Sequence, residues 1–532
     1  MSALRRAPLA AAAVAVVALA CLPLAYLLVR ALGAGGDAWD IVLRPRTLTL
    51  VANTLGLVAV VTGAATVIGA GLAWLTVRTD LPGRRVFAVL AALPLVVPSY
   101  VIALAFIAAV GPGGAAQELG LGLGGRWVFG FDGAALALSL ATYPYVYLLT
   151  SAALRRLDPA LEEAARSLGR SRLAAFREVT LPVLAPSIGA GAILVALYTL
   201  SDFGVVSLMR FDALTRAVYR QYQAAFDRDP AAVLGLVLVA LTVLVLLVES
   251  RLQARGRLRR PGGERPVAPV ALGAWRWPAA GLATAVVALS LVLPVGVLVW
   301  WVQRGRSRLP ALDDVAVSAA NSLLVAALAA TAAVLAALPV ALLAARRPSR
   351  WSRLLQRGAY VSNALPGVVI ALALVFFSSR LLTPLYQTLA VLVSAYVVRF
   401  LPQALSGAQA ALARLDPQLE QASRGLGAGP WRTLARVTVP LVAPGLLAGA
   451  TLVFLSTMKE LPATLLLRPI GFETLATDVW NATAVSSYAA AAVPALLLIV
   501  LSAPVVWFLQ VRSEVRGGPV AAQVPGEPPP VP

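Results

Sequence analysis

The chain has 532 residues, of which 60% are hydrophobic, with a mean hydropathy of +0.83 and a formal net charge of +20. Soluble domains contain about 45–50% apolar residues, so this chain carries more apolar side chain than a soluble core could bury. It has no histidine and a single cysteine, Cys21. This composition excludes a Ser-His-Asp triad, a histidine-ligated metal and an internal disulfide.

Apolar runs long enough to cross the ~30 Å hydrocarbon core of a bilayer recur along the whole chain. We therefore predict an all-α integral membrane protein with about twelve transmembrane helices. The predicted spans are 8–30, 49–77, 86–110, 134–153, 183–209, 231–250, 277–302, 317–345, 355–379, 384–408, 442–467 and 488–511. The first run is too long for the core of a signal peptide, so we expect it to be retained as a span.

Basic residues concentrate on one side of this topology. Arg5 and Arg6 precede the first span, and basic clusters at 251–260 and 346–357 fall on the same side. Because loops rich in arginine stay in the cytoplasm, we predict that both termini are cytoplasmic. The charges are scattered among short loops, which favours attraction to anionic lipid over a nucleic-acid footprint. Membrane lipid is therefore an expected partner, and nucleic acid is not.

One passage of 31 residues occurs twice, 258 positions apart and without a gap. Arg156–Pro186 reads RLDPALEEAARSLGRSRLAAFREVTLPVLAP, Arg414–Pro444 reads RLDPQLEQASRGLGAGPWRTLARVTVPLVAP, and 15 of the 31 positions are identical. The duplication extends further, since Pro98 answers Pro366 and the Ala-Asn-Thr-Leu sequence at 52–55 answers Ala-Asn-Ser-Leu at 320–323. Corresponding spans share their direction, which predicts two tandem six-helix units related by a pseudo-twofold axis along the membrane normal.

Composition divides the chain into four predicted segments. Residues 1–250 form the first transmembrane unit and 277–516 the second. Between them, 251–276 is basic, contains Pro261-Gly262-Gly263 and lacks a sustained apolar run, which indicates a cytoplasmic linker. Residues 517–532 end in a proline-rich run and are predicted to be a disordered cytoplasmic tail.

The repeated passage has the pattern of two short helices joined at a glycine. Asp158 precedes a proline and can cap free backbone N–H groups, and Glu162 lies in the first turn, where the helix dipole favours an acid. Gly169 is the predicted stop, a second short helix is expected at 176–180, and Pro182 begins the return to the membrane. The second copy repeats this plan with Asp416, Pro417, Glu420, Gly427 and Pro440.

This passage resembles the EAA motif of binding-protein-dependent ABC importer permeases. The match consists of Glu163-Ala164-Ala165, Gly169 after three further residues, and Leu181-Pro182. In that family the helix-glycine-helix knob is the coupling helix that docks in a cleft of the ATP-binding subunit. The resemblance covers essentially the whole chain, as a fused pair of six-span type I permease units. The alternative is a pair of interfacial helices that only rest on the lipid headgroups.

The resemblance implies two copies of a cytoplasmic ABC ATP-binding subunit as partners. It also implies a periplasmic or lipid-anchored substrate-binding protein, and a location in a bacterial inner membrane. The residues implied in ATPase coupling are Glu162, Glu163, Ala164, Ala165, Gly169, Glu420, Gln421, Ala422 and Gly427. Gln421 stands where the motif has glutamate, so the two docking sites are expected to be unequal.

No motif for ATP hydrolysis is present in the sequence. The one lysine, Lys459, lies in Met458-Lys459-Glu460 without the glycine-rich turn that a phosphate-binding loop requires. We therefore expect a transport subunit without a cofactor, not an enzyme, with ATP hydrolysed by a partner. An ion-coupled secondary transporter is the alternative, and no nucleophile-base or metal constellation favours a membrane enzyme.

Two acidic residues lie at matched positions inside predicted spans. Asp202 and Glu460 are 258 positions apart, and each precedes a helix-disrupting residue by two, which predicts broken helices near the outer half of the bilayer. Ionisable residues are costly in lipid and are therefore functional candidates. They either line a negative gate for a cation, or only cap the broken helices and pair with nearby bases. The candidate pathway residues are Asp202, Lys459, Glu460, Pro462, Arg210 and Arg468, with no stably bound metal.

The second of these regions resembles a more specific signature. The sequence from Lys459 to Pro469, followed by Thr474-Leu475-Ala476 and Trp480, is similar to ferric-iron ABC permeases, and 202–206 is similar to their first-half counterpart. The resemblance implies import of iron(III), a hard ion that prefers oxygen ligands. Relatives of the same architecture carry thiamine, phosphonates, sulfate-type anions or polyamines.

Overall fold

The computed structural model describes residues 7–33, 40–122, 125–224, 229–256, 269–305 and 309–515. Within these ranges the regular structure is helical, apart from one isolated bridge between Thr79 and Val270. Ten of the described helices are long and apolar enough to cross a membrane, the number is eleven if one bent pair is counted as a single span, and Tyr488–Pro504 is a shorter apolar helix. Each of the twelve predicted spans coincides with one of these segments. The predicted all-α membrane fold is confirmed.

The two halves repeat the same order of helices. The first half contains α1 (Ala7–Gly33), α2 (Pro45–Arg78), α3 (Arg84–Leu90), α4 (Ser99–Val110), α5 (Phe131–Arg155), α6 (Pro159–Ser167), α7 (Leu181–Ser201), α8 (Gly204–Leu208), α9 (Leu214–Ala224) and α10 (Asp229–Gly256). The second contains α11 (Arg276–Val287), α12 (Leu293–Arg304), α13 (Leu312–Arg346), α14 (Arg350–Ala359), α15 (Gly367–Leu381), α16 (Leu389–Arg414), α17 (Pro417–Gly425), α18 (Val439–Met458), α19 (Pro462–Leu467), α20 (Leu475–Ala484) and α21 (Tyr488–Val515).

Three long helices form the centre of each half. In the first half α2 packs along α5 and α7, and in the second half α13 packs along α16 and α18. The helices approach closely at Gly69, where a Cβ atom would lie 2.6 Å from the Tyr143 carbonyl oxygen and 2.8 Å from Val146 Cβ. Glycine allows such contact between helix backbones, which is how van der Waals packing holds helices together in lipid.

The repeated Ala-Asn-Thr/Ser-Leu sequence ties α2 and α13 to the start of a later helix. In each half the asparagine side chain donates to a backbone carbonyl, and the next residue's hydroxyl accepts from a backbone N–H. The four bonds are Asn53 to Asp212 O (3.0 Å), Leu214 N to Thr54 Oγ1 (3.0 Å), Asn321 to Glu473 O (2.9 Å) and Leu475 N to Ser322 Oγ (2.9 Å). The short sequence repeat therefore marks a pair of hydrogen bonds that both halves make.

Two predicted spans, 86–110 and 355–379, are broken where we expected continuous helices. In the second, the helical segments Arg350–Ala364 and Gly367–Leu381 meet at 105°. Proline lacks a backbone N–H and disfavours helical geometry in the residue before it. Val97 and Leu365, which precede Pro98 and Pro366, are accordingly extended, with ψ of 123° and 110°. The duplicated prolines therefore mark duplicated breaks.

The expected second short helix of the knob is not separate from the membrane helix. Arg172–Ala175 leads through a π turn at Phe176–Thr180 directly into α7, and Pro430–Thr433 leads through Leu434–Thr438 into α18. The sequence interpretation placed a separate short helix at 176–180 and the return to the membrane at Pro182. A π turn just before the proline, one residue wider than an α turn, accommodates its ring without ending the helix.

The predicted segment boundaries lie partly outside the described residues. Helix α10 runs past position 250 to Gly256, and the next described residue is 269. Residues 257–268 of the predicted linker at 251–276, and the whole predicted tail at 517–532, are therefore not described. The assignment of these two segments stays a prediction.

Replacing Gly69 with valine should destabilise the contact between α2 and α5. The new side chain would collide with the Tyr143 carbonyl, which belongs to the backbone and cannot move alone. Overpacking of this kind costs about 1–3 kcal/mol, so the purified protein in detergent should unfold at a lower temperature. Gly71→Val is the matched control, because nothing lies within 4 Å of the added Cβ there. Equal melting temperatures for the two variants would contradict this packing.

Candidate functional site

The duplicated knob has the same geometry in both halves. Asp158 Oδ1 accepts from Ala160 N and Asp416 Oδ1 accepts from Gln418 N, both at 2.9 Å, so each aspartate caps its helix as predicted. Gly169 and Gly427 lie two residues after the last residues of α6 and α17, and their φ angles of 84° and 83° lie in the left-handed region. Glycine adopts this region without the steric cost of a Cβ atom, so both stops require it.

The motif residues of the knob face outward from the described chain. Glu163, Ala164 and Gly169 are exposed, whereas Ala165 is half-buried. Their second-half counterparts Gln421, Ala422 and Gly427 are exposed as well. A leucine precedes each glycine, Leu168 at 84% exposure and Leu426 at 90%. Leu168 therefore gives the first knob an exposed apolar tip, and Leu426 gives the second knob the same. Because Gln421 stands in place of a glutamate, the second knob is less acidic.

The two first-turn glutamates turn inward instead. Glu162 pairs with Arg78 at 2.5 Å and Glu420 pairs with Arg346 at 3.1 Å. Both arginines lie at the last turn of a membrane helix, α2 or α13. Glu162 and Glu420 thus hold the knob to the membrane helices, while Glu163 and Gln421 belong to its outer surface.

A cavity of about 270 Å³ lies between the halves. Helices α5, α7, α16 and α18 contribute to its wall, together with the breaks that follow α7 and α18. The polar and charged side chains lining it are Ser99, Tyr100, Tyr145, Tyr198, Ser201, Asp202, Arg399, Gln403, Ser456, Lys459 and Glu460. The two matched acids therefore do meet at one space, and the helices are broken beside them as predicted.

Asp202 is held by hydrogen bonds, and no described residue makes a direct ion pair with it. Ser99 Oγ donates to Asp202 Oδ2 at 2.7 Å, and Val205 N donates to Oδ1 at 2.8 Å. Tyr198 in turn donates to Ser99 Oγ at 3.0 Å. The bond from Val205 caps α8, so the aspartate both lines the cavity and satisfies the backbone at the break.

Glu460 is held by an ion pair that the sequence interpretation missed. Arg399 Nε lies 3.0 Å from Glu460 Oε2, and Ala463 N donates to Oε1 at 3.3 Å, which caps α19. Arg399 lies within the predicted span 384–408. The rule that marks acids in lipid as functional candidates applies equally to this arginine.

The halves differ at two positions that touch each other. Arg399 corresponds to Ala141 at the spacing of 258, and Gly367 corresponds to Ser99 at the spacing of 268. A Cβ at Gly367 would collide with the Arg399 guanidinium. In the first half the Ser99 hydroxyl bonds the acid, whereas in the second half Arg399 pairs with it. Gly367, at the position of Ser99, leaves space for the Arg399 guanidinium.

The remaining predicted pathway residues divide into two groups. Lys459 Nζ donates to the Leu95 carbonyl across the boundary between the halves, and Pro462 lines the cavity. Arg210 stacks on Phe129 at 5.0 Å, and Arg468 pairs with Glu473. Neither Arg210 nor Arg468 lines the cavity.

The charge of the cavity wall is formally balanced. Asp202 and Glu460 carry two negative charges, and Arg399 and Lys459 carry two positive charges. The sequence interpretation considered a negatively lined gate because it weighed the two acids without Arg399. The arrangement can bind polar groups of either sign, but it does not present a purely anionic surface.

An aromatic cluster adjoins the cavity at the junction of the halves. Phe203 lines the cavity and packs against Tyr219 at 4.7 Å and Trp480 at 5.2 Å between ring centroids. Tyr219 and Trp480 lie on α9 and α20, the matched helices that the asparagine bonds anchor. Trp480, part of the sequence signature, thus packs against Tyr219, its first-half counterpart, across the pseudo-twofold axis.

Comparison with known proteins places these features in a family. The family described as binding-protein-dependent transport system inner membrane component matches residues 65–257 and 337–512. The Fe(3+)-transport system permease protein FbpB 2 of Haemophilus influenzae is 34% identical over 92% of this chain and 95% of its own length. The ferric transport system permease protein FbpB of Actinobacillus pleuropneumoniae is 25% identical over 88% and 72%.

A third relative shows the unit from which the chain is built. The sulfate transport system permease protein CysT of Salmonella typhimurium is 28% identical over 41% of this chain and 80% of its own length. It therefore corresponds to about one half of this chain, in keeping with the two segments of the family match. The sequence resemblance to this family is confirmed. The chain belongs to the family of inner membrane components of binding-protein-dependent transport systems, as a multi-pass membrane protein that joins two units of the family in tandem.

Proposed function

We propose that this chain is the permease subunit of an ABC importer for iron(III). It forms the translocation pathway between its halves and couples to a separate ATPase through its two knobs. The observation that carries this proposal is the duplicated knob, in which a glycine at positive φ holds an exposed leucine away from the protein in both halves. A secondary transporter would not need two such outward surfaces.

The cargo proposal rests on the relatives and on the signature around Glu460. The relative with 34% identity over 92% of this chain is named for Fe(3+) transport, and the sulfate relative matches less than half of the chain. Carboxylates are suitable ligands for iron(III). Thiamine, phosphonate, polyamine or another small solute is the alternative cargo for the same type of permease.

The proposed partners follow from the family and from the topology. Six crossing segments separate Gly169 from Gly427, so the two knobs emerge on the same side of the membrane. The basic loops assign that side, and both termini, to the cytoplasm. Two copies of an ATP-binding subunit would each grip one knob, and a substrate-binding protein would deliver cargo from the other side. ATP-driven closure of the subunits would draw the knobs together and open the cavity outward, and hydrolysis would reverse this.

Placing acids at the apolar tips should prevent assembly with the ATPase. Leu168→Asp together with Leu426→Asp puts a charge where the tip would enter an apolar cleft, and burying an unpaired charge is strongly unfavourable. The ATP-binding subunit recovered by co-purification should fall at least about tenfold, equivalent to ~1.4 kcal/mol. Leu119→Asp, on a leucine that is 59% exposed after α4 and outside the knobs, is the control. Undiminished recovery with the double variant would refute the docking role.

Reconstituted uptake tests the cargo and the energy source together. Proteoliposomes holding this chain with its ATPase and receptor should accumulate ⁵⁵Fe(III) only with ATP. Uptake should stop when the phosphate-binding lysine of the ATPase is replaced. Accumulation of sulfate or thiamine without iron would overturn the cargo. Iron accumulation driven by an ion gradient without the ATPase would overturn the ABC mechanism.

The two cavity acids should respond unequally to neutralisation. Glu460→Gln leaves the Arg399 guanidinium, only 20% exposed, without its carboxylate. Asp202→Asn keeps one side-chain oxygen that can still accept from Val205 N, and its amide NH2 can donate to the rotatable Ser99 hydroxyl. We expect the initial uptake rate to fall about tenfold, equivalent to ~1.4 kcal/mol, for Glu460→Gln and less for Asp202→Asn. The remote Glu118→Gln should leave the rate unchanged, and the reverse order of the two acids would contradict the cavity assignment.

A further inference from the structure

We infer that Arg78 and Arg346 are positioning residues that pass movement of the two knobs to the membrane helices. This inference rests on the proposed function and adds the mechanical link within the chain. Each arginine ends the long helix at the centre of its half, and each binds the first-turn glutamate of the knob. The outer surface of the knob is formed by other residues, so docking and transmission are separate tasks.

Each glutamate joins three segments at one carboxylate. Besides the arginine, a threonine at the entry to the next membrane helix donates to it: Thr180 to Glu162 at 3.5 Å and Thr438 to Glu420 at 3.0 Å. The end of α2, the knob and the start of α7 are therefore fastened at one point. The same three parts are fastened in the second half, so a force on the knob acts on two membrane helices together.

The burial of these pairs makes them firm connections. The side chains of Arg78 and Glu162 are 3% and 15% exposed, and those of Arg346 and Glu420 are 20% and 7% exposed. Exposed ion pairs contribute little, whereas breaking a buried pair leaves an uncompensated charge and is strongly unfavourable. Two of the three guanidinium nitrogens of Arg78 have no other partner among the described residues. Glu162 is thus its main compensation.

One helix connects this link to the cavity in each half. Helix α7 starts beside Thr180 and ends at Ser201, immediately before Asp202, and its 21 residues extend over roughly 30 Å. Helix α18 starts beside Thr438 and ends at Met458, two residues before Glu460. A shift of the knob therefore moves a rigid element whose far end carries the cavity acid.

The duplication shows which part of this arrangement both halves share. Next to Arg78, the first half stacks Trp74 against Phe176 with ring centroids 4.7 Å apart. The corresponding residues of the second half are Leu342 and Leu434, at spacings of 268 and 258. The aromatic packing has been replaced while the arginine, glutamate and threonine are present in both. The ion pair, and not the packing beside it, is the shared requirement.

A charge exchange in the complete transporter tests this inference. Arg78→Gln should leave the amount of co-purified ATPase within twofold of wild type, because the docking surface is intact. The number of ATP molecules hydrolysed per cargo ion imported should rise at least fivefold. Combining Arg78→Glu with Glu162→Arg rebuilds the pair in reverse and should bring this ratio back to within twofold. Arg346 and Glu420 should behave in the same way.

Arg304→Gln is the matched control, because Arg304 makes an exposed ion pair with Glu118 outside the knob. If Arg78→Gln fails to fold, the conservative Arg78→Lys and the exchanged pair supply the comparison. An unchanged ratio in folded single variants, with or without a lower melting temperature, overturns the inference. The inference is also overturned if the exchanged pair hydrolyses as many ATP molecules per imported cargo ion as its single variants do. Failure of unmodified chain to bind the ATPase overturns the proposed function instead.

Discussion

A bilayer provides no water to satisfy the backbone, so any interruption of a spanning helix must find its hydrogen bonds within the protein. The interruptions after α7 and α18 are satisfied by the two matched acids, which accept from Val205 N and Ala463 N. Capping a break and lining a negative gate for a cation were alternative interpretations of these acids. The structure shows the capping and fixes both carboxylates at the space between the halves, while the gate stays a proposal.

Divergence after duplication has followed steric limits. A guanidinium could enter the second half only where the residue facing it had lost its side chain, and Gly367 is that residue. The first half has Ser99 and a small Ala141 at these positions, so its acid is held by hydrogen bonds, without a direct ion pair among the described residues. The differences at these two contacting positions thus make the two matched acids unequal: Glu460 pairs with an arginine and Asp202 does not. The surrounding trios α2, α5, α7 and α13, α16, α18 kept their packing.

The sequence predicted what depends on pattern and missed what depends on distance. Hydropathy located all twelve spans, and the repeat located the halves, the knobs, the capping aspartates and the glycine stops. Pairing between remote positions has no such signature. Arg346 was therefore counted with a basic cluster, Arg399 lay inside an apolar span, and Arg78 was not singled out. Glu162 and Glu163 are adjacent and chemically alike. Only helix geometry, which turns one inward and the other outward, separates a fastening residue from a surface residue.

For the iron(III) cargo proposed here, the balanced charge of the cavity is consistent with passage and not with storage. A pathway must bind its ion well enough to admit it but weakly enough to release it. Two unpaired carboxylates facing each other would hold a trivalent ion tightly. Glu460 already pairs with Arg399, and Asp202 already accepts hydrogen bonds from Ser99 and Val205 N. Few carboxylate lone pairs therefore remain free to bind a metal ion. In this proposal, discrimination among cargoes is the task of the substrate-binding protein, and the cavity needs only to let the delivered ion through.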